Sequence, residues 1–118
     1  MAITINTQSR DFTEVEQYLM TLDRGIKSLK DVEDNTSIAV AGYLTFTDEK
    51  ENGDSVDILS IITSDNEVFS CQSATFKRSF DNITNIMHGK QFSVIKISGT
   101  TKNGRPYIDC ALDVKSVK

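Results

Sequence analysis

The sequence predicts a mainly β domain with two helices: a five-stranded barrel in the order β-β-β-α-β-β, preceded by an N-terminal helix. Three observations carry this expectation. Apolar residues alternate in five runs after Ser37, they recur at helical spacing in two other segments, and Gly, Asn and Asp gather between the runs.

The first helix is expected over Asp11 to Leu22, where Val15, Tyr18, Leu19 and Leu22 recur at helical spacing. Thr13 with Glu16 three residues later forms a capping box, and Gly25 marks the stop. Lys27 to Thr36 is polar and reads as a connector. The first strand follows, with Ile38, Val40, Gly42, Leu44 and Phe46 on one face and Ala39, Ala41, Tyr43 and Thr45 on the other. Thr47 to Asp54 is an acidic loop. Val56–Thr63 and Glu67–Gln72 pair through Ser64-Asp65-Asn66 as a hairpin. Ser73 caps a second helix whose Phe76, Phe80, Ile83 and Met87 make one apolar stripe, and Gly89 ends it. The last strands, Gln91–Thr101 and Arg105–Val114, meet at Lys102-Asn103-Gly104, and Asn-Gly between β-rich runs is a strong hairpin signal.

This is the element order of an OB-fold, a partly open barrel that binds oligonucleotides across its second and third strands. A plain curled α+β sheet has the same order. The chain divides into residues 1–35, an N-terminal helix and connector, and residues 36–118, the OB-fold domain, packed as one compact unit.

With 118 residues, 38% of them hydrophobic and 25% charged, the chain has the composition of one folded domain rather than a disordered segment. No apolar run approaches the ~20 residues that span a bilayer. The N-terminus lacks the basic start and apolar stretch of a secretory signal, so a cytoplasmic location is expected, the host cytoplasm if the protein is viral. Cys71 and Cys110 are far apart in strand-like runs and read as buried reduced thiols. With one histidine, no closely spaced metal ligands are present, and neither a metal nor another cofactor is expected.

Catalytic patterns are missing as well. The sequence contains no nucleophile elbow, phosphate loop, dinucleotide fingerprint or His-based metal motif. His88 sits beside the helix stop, where a cation suits the helix dipole. The acidic group Asp48, Glu49, Glu51, Asp54 and Asp57 lacks the spacing of a calcium loop and reads as solvated. No catalytic residue, small-molecule substrate or enzyme activity is expected.

Charge is more informative. Residues 1–60 hold five Lys/Arg and twelve Asp/Glu, a balance of −7; residues 61–118 hold eight and five, a balance of +3. A phosphate backbone feels the local field, so one basic surface is compatible with an acidic whole. Single-strand binding needs cations along the backbone path and flat rings for stacking bases. The last hairpin has both in Lys102, Arg105 and Tyr107. Because Pro106, Ile108, Cys110 and Leu112 share the core face, Tyr107 faces away, and Tyr43 is expected to do likewise on the first strand. Parity assigns Phe46 to the core and leaves Phe69 undecided. Lys77, Arg78, Lys90 and Lys96 extend a candidate phosphate path.

Several stretches resemble the single-stranded-DNA-binding proteins of small protein-primed tailed phages of the phi-twenty-nine type. They are Thr36-Ser37-Ile38-Ala39-Val40-Ala41, the Gly53-Asp54 loop, Ile61 to Ser70, and Phe92 to Gly104, so the resemblance runs from Thr36 to Leu112. It implies an OB-fold that coats and protects displaced strands during DNA replication. It also implies that Phe46, Phe69 and Tyr107 are binding aromatics, with Ile108 as an apolar neighbour. Bacterial single-strand binders carry a long tail with an acidic end, whereas this chain ends Lys115-Ser116-Val117-Lys118.

The expected partner is therefore single-stranded DNA, bound by Tyr43, Phe46, Phe69, Lys77, Arg78, Lys96, Lys102, Arg105 and Tyr107. Two alternatives stand: a protein-interaction module such as a phage inhibitor of a host protein, and an RNA-binding OB domain. The stripe of the first helix either caps the barrel bottom or binds another subunit, a route to self-association.

Overall fold

A computed structural model describes residues 2–117 of the chain. Eight strands and two helices follow in the order β1 (Ala2–Gln8), α1 (Glu14–Thr21), β2 (Lys27–Ser28), β3 (Ser37–Val40), β4 (Gly42–Glu49), β5 (Ser55–Ile62), β6 (Val68–Cys71), α2 (Ala74–Met87), β7 (Phe92–Thr100) and β8 (Pro106–Asp113). Single 3-10 turns occupy Leu29–Asp31 and Val114–Ser116.

The strands form two separate sheets, one of five in the order β1-β4-β5-β6-β2 and one of three in the order β3-β7-β8. There is no closed barrel, and the OB-fold expectation is corrected accordingly: this is a mixed α/β domain. The physical reason lies in residues 1–35, for which the sequence predicts only a helix and a connector. They also supply both edges of the larger sheet. β1 pairs antiparallel with β4 from Ala2 opposite Glu49 to Gln8 opposite Leu44, and β2 pairs parallel with β6 through Lys27–Phe69 and Ser28–Ser70. The edge of β6 that barrel closure would need for β8 is thus already occupied.

The expected first strand is split at Ala41 into β3 and β4, which belong to different sheets. Ala41 N–H donates to the Ile62 carbonyl at 2.9 Å, and although every second residue from Ile38 to Phe46 stays buried across the break, the buried side chains pass from one core to another. Ile38 and Val40 join the main core, between α2 and the two sheets, with Leu59, Ile61, Phe76, Phe80 and Cys110. Leu44 and Phe46 enter a second core with Phe12, Met20, Ile62 and Val68, on the α1 side of the larger sheet. With apolar clusters on both faces, Leu59 to Ile62 are buried without alternation.

Three hairpin loops share one construction. The N–H of Lys50, Thr63 and Thr101 donates to the carbonyl of Asp54, Glu67 and Arg105 at 2.7, 2.9 and 2.9 Å. The residue before each acceptor, Gly53, Asn66 or Gly104, has positive φ. These are the turn residues that such loops require.

Both helices begin as expected. Thr13 Oγ1 accepts from Glu16 N–H at 3.1 Å, while Glu16 Oε1 accepts from Thr13 N–H at 2.9 Å. Ser73 caps α2, and Phe76, Phe80 and Met87 are buried on its inner side. His88 adopts a left-handed conformation as its C-cap. α1 differs from expectation: Met20 is its buried residue, whereas Val15, Tyr18 and Leu22 of the expected stripe are exposed. Among the described residues, no helix is long and apolar enough to cross a membrane.

Candidate functional site

A cleft of about 540 Å³ opens where the end of the larger sheet, the start of α2 and the start of β8 converge. Ile58, Cys71 and Ile108 provide apolar lining, and Ser28, Lys30, Ser70, Gln72 and Ser73 provide polar lining. Its volume falls within the ~300–1,000 Å³ usual for ligand clefts. Ser73 secures one corner, because its hydroxyl donates to the Ile108 carbonyl at 3.2 Å and accepts from Phe76 N–H at 3.2 Å. Lys77 secures another, donating from Nζ to the carbonyl of Asp57, beside Ile58, at 3.1 Å. Burial pushes the Cys71 thiol up to about 11. Burial, then the Asp109 carboxylate, pushes Cys110 up to about 12. Neither is a thiolate nucleophile at neutral pH.

Of the four expected aromatics, Tyr107 is the one that counts as an exposed residue, at 39%. Its strand neighbours Ile108 and Cys110 point into the core, so it stands on the opposite face of the three-stranded sheet. Directly across the ladder is Gly99, and a Cβ built there would overlap the tyrosine ring. The ring thus lies across a strand position emptied by glycine, an arrangement that holds an aromatic flat on a sheet. Tyr43 goes the other way. It packs edge-on against Phe80 with centroids 5.0 Å apart and lines a different recess, of about 350 Å³, with Arg10 and Lys90. Phe46, at 3% exposure, is inside the second core, and Phe69 is buried in the main core with Lys27 Nζ 5.5 Å from its ring centroid. Neither offers a ring face to a base.

The expected cations separate in the same manner. Lys102 and Arg105 are exposed on the β7–β8 turn, which leads directly into Tyr107 and the cleft residue Ile108. Arg78 is exposed on α2. Lys96 is a structural residue instead. Its Nζ is buried, donating to the Val32 carbonyl at 2.6 Å and pairing with Asp34 at 3.2 Å. The Asp34 carboxyl is held below its ordinary range, first by the Ser98 hydroxyl and then by Lys96.

Sequence reasoning missed Lys30 and Ser28, which lie in a segment that reads as connector, and the polar cleft residues Ser70, Gln72 and Ser73. It also missed Gly99. A glycine inside an otherwise β-branched run marks a close approach and was the available signal. Among the described residues, no group of three or more His, Cys, Asp or Glu side chains is placed to hold a metal ion. No protein-family model, no curated protein and no solved structure matches the chain.

Proposed function

We propose that this chain binds single-stranded DNA without sequence preference and coats displaced strands during DNA replication, the role its phage-family resemblance implies. The observation that carries the reading is the exposed Tyr107 ring, held across Gly99 beside the Lys102–Arg105 turn. A base stacks on that ring, and the neighbouring cations meet the backbone phosphates. From there the strand enters the cleft, where Lys30 and the Ser70, Gln72 and Ser73 side chains supply further polar contacts. Three of the nine expected residues, Phe46, Phe69 and Lys96, then act by supporting the fold rather than by touching DNA, and Tyr43 packs against Phe80 of α2.

The test is titration with oligo-dT at several salt concentrations, followed by tyrosine fluorescence, which no tryptophan masks. Saturable quenching that weakens with salt is expected, and loss of it in the combined Lys102→Ala, Arg105→Ala, Tyr107→Leu variant assigns it to this surface. A matched RNA oligomer binding more tightly would redirect the reading to RNA. Absence of binding to either at low salt would refute it and leave the protein-interaction alternative.

A further inference from the structure

β1 is an end strand of the larger sheet, with β4 as its neighbour there. The hydrogen bonds at the ends of β4 identify which main-chain groups of β1 are free. Lys50 N–H donates to the Asp54 carbonyl, so even-numbered residues of β4 turn their main-chain groups to β5. Ser9 N–H donates to the Tyr43 carbonyl, so odd-numbered residues turn theirs to β1. Ile3 and Ile5 lie opposite the even-numbered Asp48 and Phe46. Their N–H and C=O groups therefore point outward, off the edge of the sheet. Their side chains are half-buried against the second core, whereas Ala2 and Thr4 are exposed on the other face. Edge strands are ordinarily guarded by charge, proline, a bulge or short length. β2 has two residues, β3 has four, and β8 begins at Pro106 and carries Asp109 and Asp113. β1 has seven residues without charge or proline, and its bulge lies past Ile5, leaving Ala2 to Ile5 open.

We infer that β1 pairs antiparallel with β1 of a second copy of this chain, about a two-fold axis at Thr4, so that the two larger sheets join edge to edge. The strand is its own complement in that register. Ile3 faces the second copy's Ile5, and both residues carry outward main-chain groups, so each such pair exchanges N–H to C=O bonds in both directions. The isoleucines of both copies then form one apolar row that continues each second core, while Thr4 meets its own counterpart on the polar face. A slip of one residue would set the outward groups against groups already turned to β4, and isoleucine against the polar face. Charge does not oppose the contact. Asp48 and Glu49 are on β4, one strand in, and Arg10 lies past the end of β1. The carboxylates of the two β4 strands are three strand spacings apart, about 14 Å, beyond the ~10 Å screening length at 0.1 M salt. α1 packs on β5 and β6, and α2 on β8, so neither helix overhangs the edge. One strand pair buries little surface, which puts the dimer in the weak class below about 1,200 Å². The contact needs no DNA and stands apart from the binding proposal.

Sedimentation velocity of the untagged chain at rising concentration, without DNA, is the first test. The wild-type average sedimentation coefficient is expected to climb toward that of a dimer. Thr4→Lys sets two like charges directly opposite each other and should weaken association tenfold or more. Thr4 is exposed, so circular dichroism and melting temperature should stay unchanged. Cross-linking then reads the register. Opposed residues of a non-hydrogen-bonded antiparallel pair have Cα atoms about 4.5 Å apart, within disulfide reach. Thr4→Cys should therefore form a covalent dimer under mild oxidation at least tenfold faster than Gln8→Cys, which lies beyond the bulge; the native Cys71 and Cys110 are buried. A wild type that stays monomeric would overturn the inference and leave the edge to a strand of another protein. A Thr4→Lys protein that associates like wild type, or a Thr4→Cys protein that cross-links no faster than Gln8→Cys, would overturn it as well.

Discussion

Gly99 is the most telling position at which to perturb the protein. A Cβ at this residue would overlap the Tyr107 ring, so Gly99→Val must push the ring off the sheet without changing a single group proposed to touch DNA. A stacked base contributes about 1–3 kcal/mol, so losing the platform should weaken oligo-dT binding by roughly five- to 150-fold. Tyr107→Leu should cost a similar amount, and the double variant little more than either, because valine at 99 then has no ring to displace. Valine suits a strand, so the melting temperature should change little. Anisotropy of a labelled oligomer, at one fixed salt concentration, measures all four proteins. If Gly99→Val and Tyr107→Leu both bind as tightly as wild type, Tyr107 is not a stacking platform. If the two losses simply add, glycine does not act by holding the ring.

Three further outcomes rest on the same structure. The paired Lys102→Ala, Arg105→Ala substitution should flatten the slope of log affinity against log salt by about 1.4, at ~0.7 for each single-strand phosphate no longer neutralised. Phe46→Ala should cost about 3–5 kcal/mol of folding stability in denaturant titration, as expected for a buried phenylalanine, while the folded fraction keeps its DNA affinity. The Glu16 carboxyl is lowered from 4.5 to about 2, first by its hydrogen bond from Arg10 and then by the Thr13 N–H. A depressed acid contributes stability above its unfolded pKa and loses it as pH falls through the folded value. The melting temperature should therefore drop between about pH 4.5 and 2, and Glu16→Gln should flatten that part of the profile.

Local signals located most elements. The Phe76, Phe80, Met87 stripe and the Ser73 cap are complete within one segment, as are the hairpin loops with Asn66 or Gly104 at the positive-φ position. β1 was missed although Ile3 and Ile5 alternate with Thr4 and Asn6, because two apolar residues on a largely exposed edge strand make a faint period. β2 has two residues and no period at all; it exists through its parallel pairing with β6. Those two strands decided between a barrel and two sheets, so the decisive information was non-local. α1 shows another limit of pattern reading. Helical spacing groups Val15, Tyr18, Leu19 and Leu22, but the helix is docked through Met20, with Arg10 and Glu16 ion-paired at 2.9 Å beside its first turn. Periodicity tells which residues share a face; packing decides which face is buried.

The site residues divide by the same logic. Tyr107 lies within the β7–β8 ladder, which runs in unbroken register from Ser93 opposite Asp113 to Thr100 opposite Pro106, so counting from Ile108 and Cys110 fixes its side. Lys96 is in that ladder too, two residues from Val94, and the same count would have placed it inward. Tyr43 comes two residues after Ala41, where the chain passes from one sheet to the other, and parity carried across that break points to the wrong side. For Phe46, parity indicated burial and the family resemblance indicated binding; the structure places it in an apolar core that residues 1–35 help to build, through Phe12 and Met20. A ring is a stacking platform only if nothing in its own chain covers it. Here α2 covers Tyr43 and the second core covers Phe46, whereas the absent side chain of Gly99 leaves Tyr107 lying open on the sheet.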